Sequence, residues 1–544
     1  MAKGATEGSS LLPPDAEPTP SCVREDKPLR RLIVAACAAT NSCNVGYDLG
    51  IASCVGRGMQ ETWDLSDVEI ALFIGSVNIC AIFGTIGAAY ITDRAGRRLA
   101  FACANITLIL GAGFVTIAPS FIGVLIGRVI MGIGVGVGFA VDPLYIAETS
   151  TPSQRGRLVT CSEFGLNVGI VTGFAVGWLC HGAFPPDVAW RWMSAYGMAL
   201  PVLMLILCAT VLPESPRWLL MKGRREEALA TLNRLGFASM DRDALVASFE
   251  HGMEVEREAA KSANGWSMIL SPTPTMRRIL MAGIGMATVQ QMCGIDAVQY
   301  YMLFLLDALN VDDPEAWQVV FGLIKLFPIL IAGIVFDSWG RRPVLILTTI
   351  GTTLSLGLIS ASFYLAPIGP DPLQNTTTTQ EKASDYNVLA LIGMAGFYYN
   401  FSMGLGPGAW LIPSEIYPML ARGRLMAIST CINRAVAAIY ATGFLPFSKA
   451  VGSGAAVLFL AISNALIVVF IYFLVPETKG RSLDDMYAYF MELTEDRTSD
   501  TKDMLKKTKA LEQTLEPGVD LLKVDLLNDQ RADLAKSKAP YGSA

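Results

Sequence analysis

The sequence predicts an all-α membrane protein, with twelve transmembrane helices in two six-helix halves. Three observations predict it. Hydrophobic residues make up 52% of the chain and charged residues 17%, less charge than a soluble domain of this length usually carries. Apolar runs of about 20 residues recur, the length of a bilayer-spanning helix. Charged motifs close several of these runs, and they occur twice in the same order.

The spans follow one another with short polar joints. The first, near 33–56, begins after Arg31 and is too long for the h-region of a signal peptide. The second (68–91) ends in D-R-A-G-R-R, and the third (99–118) is nearly uncharged. The fourth (121–146) is the glycine-rich G-R-V-I-M-G-I-G-V-G-V-G-F-A-V-D-P. The fifth (158–180) carries Glu163, and the sixth (192–212) ends at P-E-S-P-R. A polar stretch follows, amphipathic in R-R-E-E-A-L-A-T-L-N-R-L. The second half has spans near 278–306, 317–336, 343–366, 388–413, 425–449 and 454–475. Gly404, Gly406 and Pro407 interrupt the tenth span, as in a broken helix beside a site. The expected units are a tail (1–32), a first half (33–213), a linker with short helices (214–276), a second half (277–476) and a tail (477–544).

Arg94, Arg97 and Arg98 follow the second span, and Arg155 and Arg157 the fourth. Arg341 and Arg342 follow the eighth, and Arg422 and Arg424 the tenth. All four loops fall on one side, which the positive-inside rule makes cytoplasmic, with both termini. The expected location is the plasma membrane. Glu7 with Leu11 and Leu12 resembles an acidic dileucine sorting signal, which keeps an endosomal or vacuolar membrane open. Residues 1–28 are polar and expected to be disordered. Asn375 heads a glycosylation pattern in a predicted outside loop.

Several classes are excluded. Most of the 11 cysteines sit inside spans, as small packing residues do, and no pair has metal-ligand spacing. His181 lies in a predicted outside loop and His251 in the linker, so neither suits catalysis. No nucleotide-binding motif is present. The expectation is no enzyme, no cofactor, no metal and no nucleic acid, with a monomer in the lipid bilayer.

The chain repeats itself. D-R-A-G-R-R, carrying Asp93, Arg94, Arg97 and Arg98, returns as D-S-W-G-R-R, with Asp337, Arg341 and Arg342. Glu148 and Arg155 return as Glu415 and Arg422; P-E-S-P-R, with Glu214 and Arg217, returns as P-E-T-K-G-R, with Glu477. Three motifs in one order argue for duplicated halves. Such duplication marks alternating-access transporters, with a site near the midplane. Ion pairs between the halves among these acids and arginines are expected to latch the cytoplasmic face shut when the site faces outward. Plain topology determination by positive charge is the competing account of any single arginine.

Charges inside the spans mark the pathway, because each is costly in lipid and needs a partner. Asp48 in the first span and Arg128 in the fourth are expected to pair. The intramembrane acids Asp48, Asp142, Glu163 and Asp296 exceed the bases Arg128, Lys325 and Arg434 by one, as a proton carrier would allow.

These residues together resemble the sugar porter family of the major facilitator superfamily, from about Asp48 to Met486. The likeness rests on G-Y-D, D-R-A-G-R-R, G-R at Gly127–Arg128, P-E-S-P-R-W-L-L, Q-Q-M-C-G-I-D-A-V-Q-Y-Y, G-R-R-P and P-E-T-K-G-R-S-L. Within the family it looks most like plant-type polyol/monosaccharide proton symporters. The resemblance implies the major facilitator fold with a central cytoplasmic helical loop. It also implies a sugar or polyol site on the fifth, seventh, eighth, tenth and eleventh spans. Gln290 and Gln291 match the family's paired glutamines. Asp296 stands where an asparagine is usual, Glu163 replaces a glutamine, and Lys325 replaces an asparagine. Tyr300 and Tyr301 match an aromatic lid, Phe401 and Trp410 aromatic positions, and Asn433 an amide. Asp142 departs from a usual small or polar residue, and nothing in the sequence accounts for it.

The chemistry fits a polyol without the family. Amides and carboxylates hydrogen-bond hydroxyls, and an aromatic face covers the C–H side. On a continuous seventh helix Gln291, Cys293, Val298 and Tyr301 would share a face, with Asp296 at its flank. Helix glue is the alternative for the glutamines, and pairing with Asp296 or Glu163 is the alternative for Lys325. The resemblance implies that Asp48 takes up a proton and Arg128 tunes it. Protonation would break the pair and change which opening is favoured. The rivals are a facilitative carrier, a sugar receptor on a transporter fold, and a carrier of charged solutes.

Overall fold

The computed structural model describes residues 28–150, 155–237, 246, 249, 269–309, 311–365, 377–418, 421–480 and 483–494. The dileucine at 11–12, His251, Asn375 and residues 495–544 lie outside them, as do the side chains of Arg155 and Arg157. Among the described residues the chain is helical, with no strand.

Spans one to five are single helices: α1 (Pro28–Trp63), α2 (Asp67–Ala95), α3 (Arg97–Ile117), α4 (Phe121–Thr149) and α5 (Arg155–Ala183). The sixth is α6 (Pro186–Tyr196) with α7 (Ala199–Thr210). Two linker helices follow, α8 (Pro216–Met221) and α9 (Arg225–Arg234). The seventh span is in three pieces: α10 (Pro274–Met292), α11 (Ile295–Tyr300) and α12 (Met302–Ala308). Then come α13 (Pro314–Trp339) and α14 (Arg341–Leu365). The tenth span is α15 (Thr377–Met403) with α16 (Leu405–Ile416). It is followed by α17 (Arg422–Val451), α18 (Ser453–Leu474) and a terminal α19 (Leu483–Leu493).

Ten of the twelve spans are long and apolar enough to cross a bilayer. The other two fall short through polar content and a helix break. α1 carries Asn41, Asn44 and Asp48, all buried, and the seventh span is divided. The division corrects the continuous face expected there. Gly294 takes a left-handed φ of 86°, which a side chain resists. The helix restarts at Ile295, so Asp296 and Tyr301 are re-aimed relative to Gln290 and Gln291. Gly404 divides the tenth span without a left-handed turn, at φ −119° and ψ −86°, as its glycines and proline predict.

The glycines of α4 serve packing. A side chain at Gly132 or Gly136 would meet the α2 backbone at Val77 or Ala81. One at Gly134 would meet α3, and one at Gly138 would meet Asn41 of α1. Small residues let membrane helices approach closely and gain dispersion contact. Large apolar side chains such as Phe83, Ile86, Phe327 and Ile334 point outward, where lipid rather than water is their natural solvent.

Each half repeats one turn at the arginine-bearing end. Gly96 and Gly340 have φ of 93° and 97° and lead into α3 and α14. Glu214 accepts the backbone N–H of Arg97 at 2.8 Å, and Glu477 that of Arg341 at 2.9 Å. A carboxylate at a helix N-terminus satisfies free N–H groups and suits the helix dipole. Burial works against charge on Glu477, but the N–H groups of Lys479, Arg341, Arg342 and Thr478 outweigh it and hold its carboxyl below its ordinary value.

Candidate functional site

Asp48 of α1 and Arg128 of α4 meet, with Nη1 2.5 Å from Oδ1. Both are buried, at 4% and 2% exposure. The guanidinium also donates from Nε to the Phe73 carbonyl at 3.2 Å and lies 4.4 Å from the Phe73 ring centre. Arg128 Nη2 has no hydrogen-bond partner. A small internal cavity bounded by Asn44, Tyr47, Asp48, Phe73 and Arg128 adjoins the pair. The pair therefore leaves one guanidinium N–H unused among the described residues.

In the second half the amides form one connected array. Asn433 of α17 donates to Gln290 Oε1 at 2.8 Å and to the Ala287 carbonyl at 2.7 Å. Its own oxygen accepts from Gln291 at 3.2 Å and from Arg434 at 2.6 Å. Gln290 reaches on to the Gly406 carbonyl at 3.0 Å, just past the break in the tenth span. Gln291 Oε1 and Asp296 Oδ2 are buried and have no hydrogen-bond partner. Orphaned acceptors of this kind are unusual in a folded core and suit a ligand rich in hydroxyls.

Lys325 does not take the alternative of pairing with Asp296 or Glu163. Its Nζ contacts Gln299 Oε1 at 2.6 Å and neither acid, and it lies 5.7 Å from the Phe401 ring centre. Glu163 acts on Lys325 and Arg434 electrostatically, and among the described residues it forms no ion pair with either. Arg434 stacks at 4.6 Å on Phe139, which belongs to the other half. Phe401 is buried and Trp410 partly buried. The two tyrosines stand apart from the amides. Tyr301 donates to the Ala441 carbonyl at 2.5 Å and packs on Phe304 and Phe444. Tyr300 accepts from Asn78 of α2 at 3.2 Å, across the halves.

The gate motifs pair within each half in this state, which is joined at the opposite end. Arg97 holds Glu148 by two contacts of 2.8 Å and comes within 3.9 Å of Asp93. Arg341 contacts Glu415 and Asp337, each at 3.0 Å. These pairs lie within one half or the other, because the motif residues of each half surround the same turn. Arg98 caps the Cys208 and Ala209 carbonyls, Arg94 lies over Tyr90, and Arg422 reaches the Tyr417 carbonyl. Arg217 opens α8, whose N-cap Ser215 donates to Glu148 at 2.6 Å.

Ion pairs between the halves lie at the opposite end. Arg57 of α1 contacts Glu315 at 2.9 Å and Asp307 at 3.3 Å. His181 approaches Glu315 at 3.8 Å, and Gln318 donates to Ser53 at 2.8 Å. Sequence reasoning missed Arg57, Glu315 and Gln299. Gln299 sits inside the recognised Q-Q-M-C-G-I-D-A-V-Q-Y-Y run, so its polar side chain was the available signal.

Among the described residues no cluster of His, Cys, Asp or Glu is arranged to hold a metal. Twelve helices in two halves, with a buried ion pair in the first and a buried amide array in the second, have the architecture of a membrane transporter. The family model described as "Sugar (and other) transporter" matches residues 34–490. The chain is 34% identical over 466 residues to "Probable polyol transporter 4" of Arabidopsis thaliana, covering 85% of each chain. It is 30% identical over 497 residues to "Polyol transporter 5" of the same plant, covering 88% of this chain and 90% of that one. The fold matches the major facilitator superfamily proton:xylose symporter XylE bound to 6-bromo-6-deoxy-D-glucose, with TM-score 0.69 and 22% identity, over 85% of this chain and 100% of that one. The chain belongs to the sugar transporter family.

Proposed function

We propose that this protein is a proton-coupled symporter of polyols and/or monosaccharides that works by alternating access, as a monomer in the plasma membrane. The Asp48–Arg128 pair carries the reading: a carboxylate buried in the first half, held by an arginine with an unused N–H. Protonating Asp48 removes a charge that resists burial and frees Arg128, so the two conformations differ in free energy by what the pair contributes. The amide array of Gln290, Gln291 and Asn433, with Asp296 and the Phe401 and Trp410 rings, supplies the hydroxyl and C–H contacts a polyol needs. The names of the relatives favour polyols. The basic loops of the arginine-bearing end support a cytoplasmic orientation for it, and in this reading the Arg57–Glu315 end faces outward.

The test is substrate-evoked current and external pH in oocytes given sorbitol, mannitol, inositol, xylitol, glucose or fructose. The expected result is inward current with external alkalinisation for at least one polyol. Asp48→Asn should abolish both while keeping tracer exchange at equal concentrations. Uptake with no current and no pH dependence would make the protein an uncoupled carrier.

A further inference from the structure

A second carboxyl lies in the first half, outside the Asp48–Arg128 pair and the amide array. Asp142 sits on α4, one residue before Pro143, at 1% exposure. One oxygen accepts the Ser42 hydroxyl of α1, and the other, Oδ1, has no hydrogen-bond partner. The Ser162 hydroxyl of α5 lies close enough to favour the carboxylate as a donor, although no contact within ordinary hydrogen-bond limits joins the two.

Among the described residues no base forms an ion pair with it. Among the described residues, the one charged group acting on Asp142 is the like charge of Glu163, and the Cys161 thiol is its other titratable neighbour on α5. On α4 itself Arg128 is held by Asp48, and Glu148 by Arg97. Arg434 of α17 comes to Phe139, three residues before Asp142, but its guanidinium is spent on that ring and on Asn433. An ionised carboxylate at such a site is strongly disfavoured, and a protonated one is not.

Polar groups fill the space toward Asp48. Asn44, one helical turn from Asp48 on α1, donates to Asn105 at 2.5 Å, and Asn105 donates to Asn41 at 3.0 Å. Asn41 precedes Ser42, which holds Asp142. Asn44 Oδ1, Asn41 Nδ2 and Asp142 Oδ1 are all buried without partners. Unpaired donors and acceptors in a row are where ordered water belongs.

We propose that Asp142 is a second proton-binding carboxyl, joined to Asp48 through the row Asn44, Asn105, Asn41 and Ser42. This rests on the proton-symport reading. In the step, protonated Asp142 gives its proton to water toward the arginine-bearing end and becomes a carboxylate. The proton on Asp48 then passes to Asp142 through water held by the unpaired Asn44, Asn41 and Asp142 atoms, with the amides orienting the water and carrying no proton themselves, and Asp48 re-forms its pair with Arg128. One proton enters and one leaves, and the structure, with Asp48 paired and Asp142 without an ion pair, matches the state after transfer. Glu163 acts on Asp142 and also on Lys325 and Arg434, which ties this carboxyl to the amide array.

The test uses the full-length protein in liposomes. Infrared spectra at neutral pH should show a protonated-carboxyl carbonyl stretch that Asp142→Asn loses and Asp48→Asn keeps. Proton flux evoked by the best-transported member of the same panel should fall about a hundredfold in Asp142→Asn, as loss of a positioned proton-transfer group implies. It should return in Asp142→Glu, and substrate exchange should persist in both. An unchanged infrared band in Asp142→Asn overturns the proposal, as does evoked proton flux equal to native. A native protein with no evoked proton flux overturns the symport reading itself, and this proposal with it.

Discussion

At the scale of residues, the amides were legible and their partners were not. Gln290, Gln291 and Asn433 stand out in apolar spans because each amide in lipid needs a reason to be there. That Asn433 bonds both glutamines depends on contacts between residues about 140 positions apart, which no local pattern encodes. Lys325 shows the same limit: its charge predicts an acid, and the fold supplies Gln299. Asn433 joins four groups, so its loss should cost more than one contact. Truncation would leave Gln290 Oε1, the Gln291 amide and part of Arg434 unpaired, at about 1–3 kcal/mol for each buried group stranded. Asn433→Ala should therefore raise the KM for the transported polyol by about tenfold or more, with a smaller change in maximal rate. Tracer uptake against concentration measures this, and an unchanged KM would place the array outside the substrate site.

At the scale of elements, the apolar runs predict every span, because bilayer thickness fixes their length. The breaks divide differently. The tenth span announces its break by Gly404, Gly406 and Pro407. The seventh has one glycine in a polar run and reads as continuous. Gly294 is needed there for two reasons: its φ of 86°, and the Leu460 side chain that an added Cβ would meet at 2.7 Å. A left-handed conformation costs an ordinary residue about 1–2 kcal/mol. Gly294→Ala should straighten the joint between α10 and α11, turn Asp296 away from the amides, and lower melting temperature and transport together. If thermal stability in detergent and uptake both match native, the break has no bearing on the site.

At the scale of the whole molecule, the duplicated motifs reveal the halves, but not how the halves meet. At the arginine-bearing end the acids and arginines are satisfied within each half, and the Asp93 and Asp337 side chains are 72% and 76% exposed. At the other end Arg57, Asp307, Glu315, Gln318 and Ser53 join the halves directly. The two conformations of an alternating-access carrier differ in which end is joined, so contacts present at one end favour the state closed there. Arg57 is partly exposed and Glu315 nearly buried, at 27% and 7% of their side chains. Such a pair contributes about 1 kcal/mol, which corresponds to roughly a fivefold change in the balance of states. Arg57→Ala should shift the protein toward the state open at this end by about that factor. Labels on the outer ends of α1 and α13 would report the shift as a longer distance population in electron spin resonance. Exchanging the charges, Arg57→Glu with Glu315→Arg, should bring the native distribution back in part. Equal distance distributions in the native protein and Arg57→Ala would mean that helix packing alone, Gly75 against Thr442 and Gly322 against Phe174, holds this end closed.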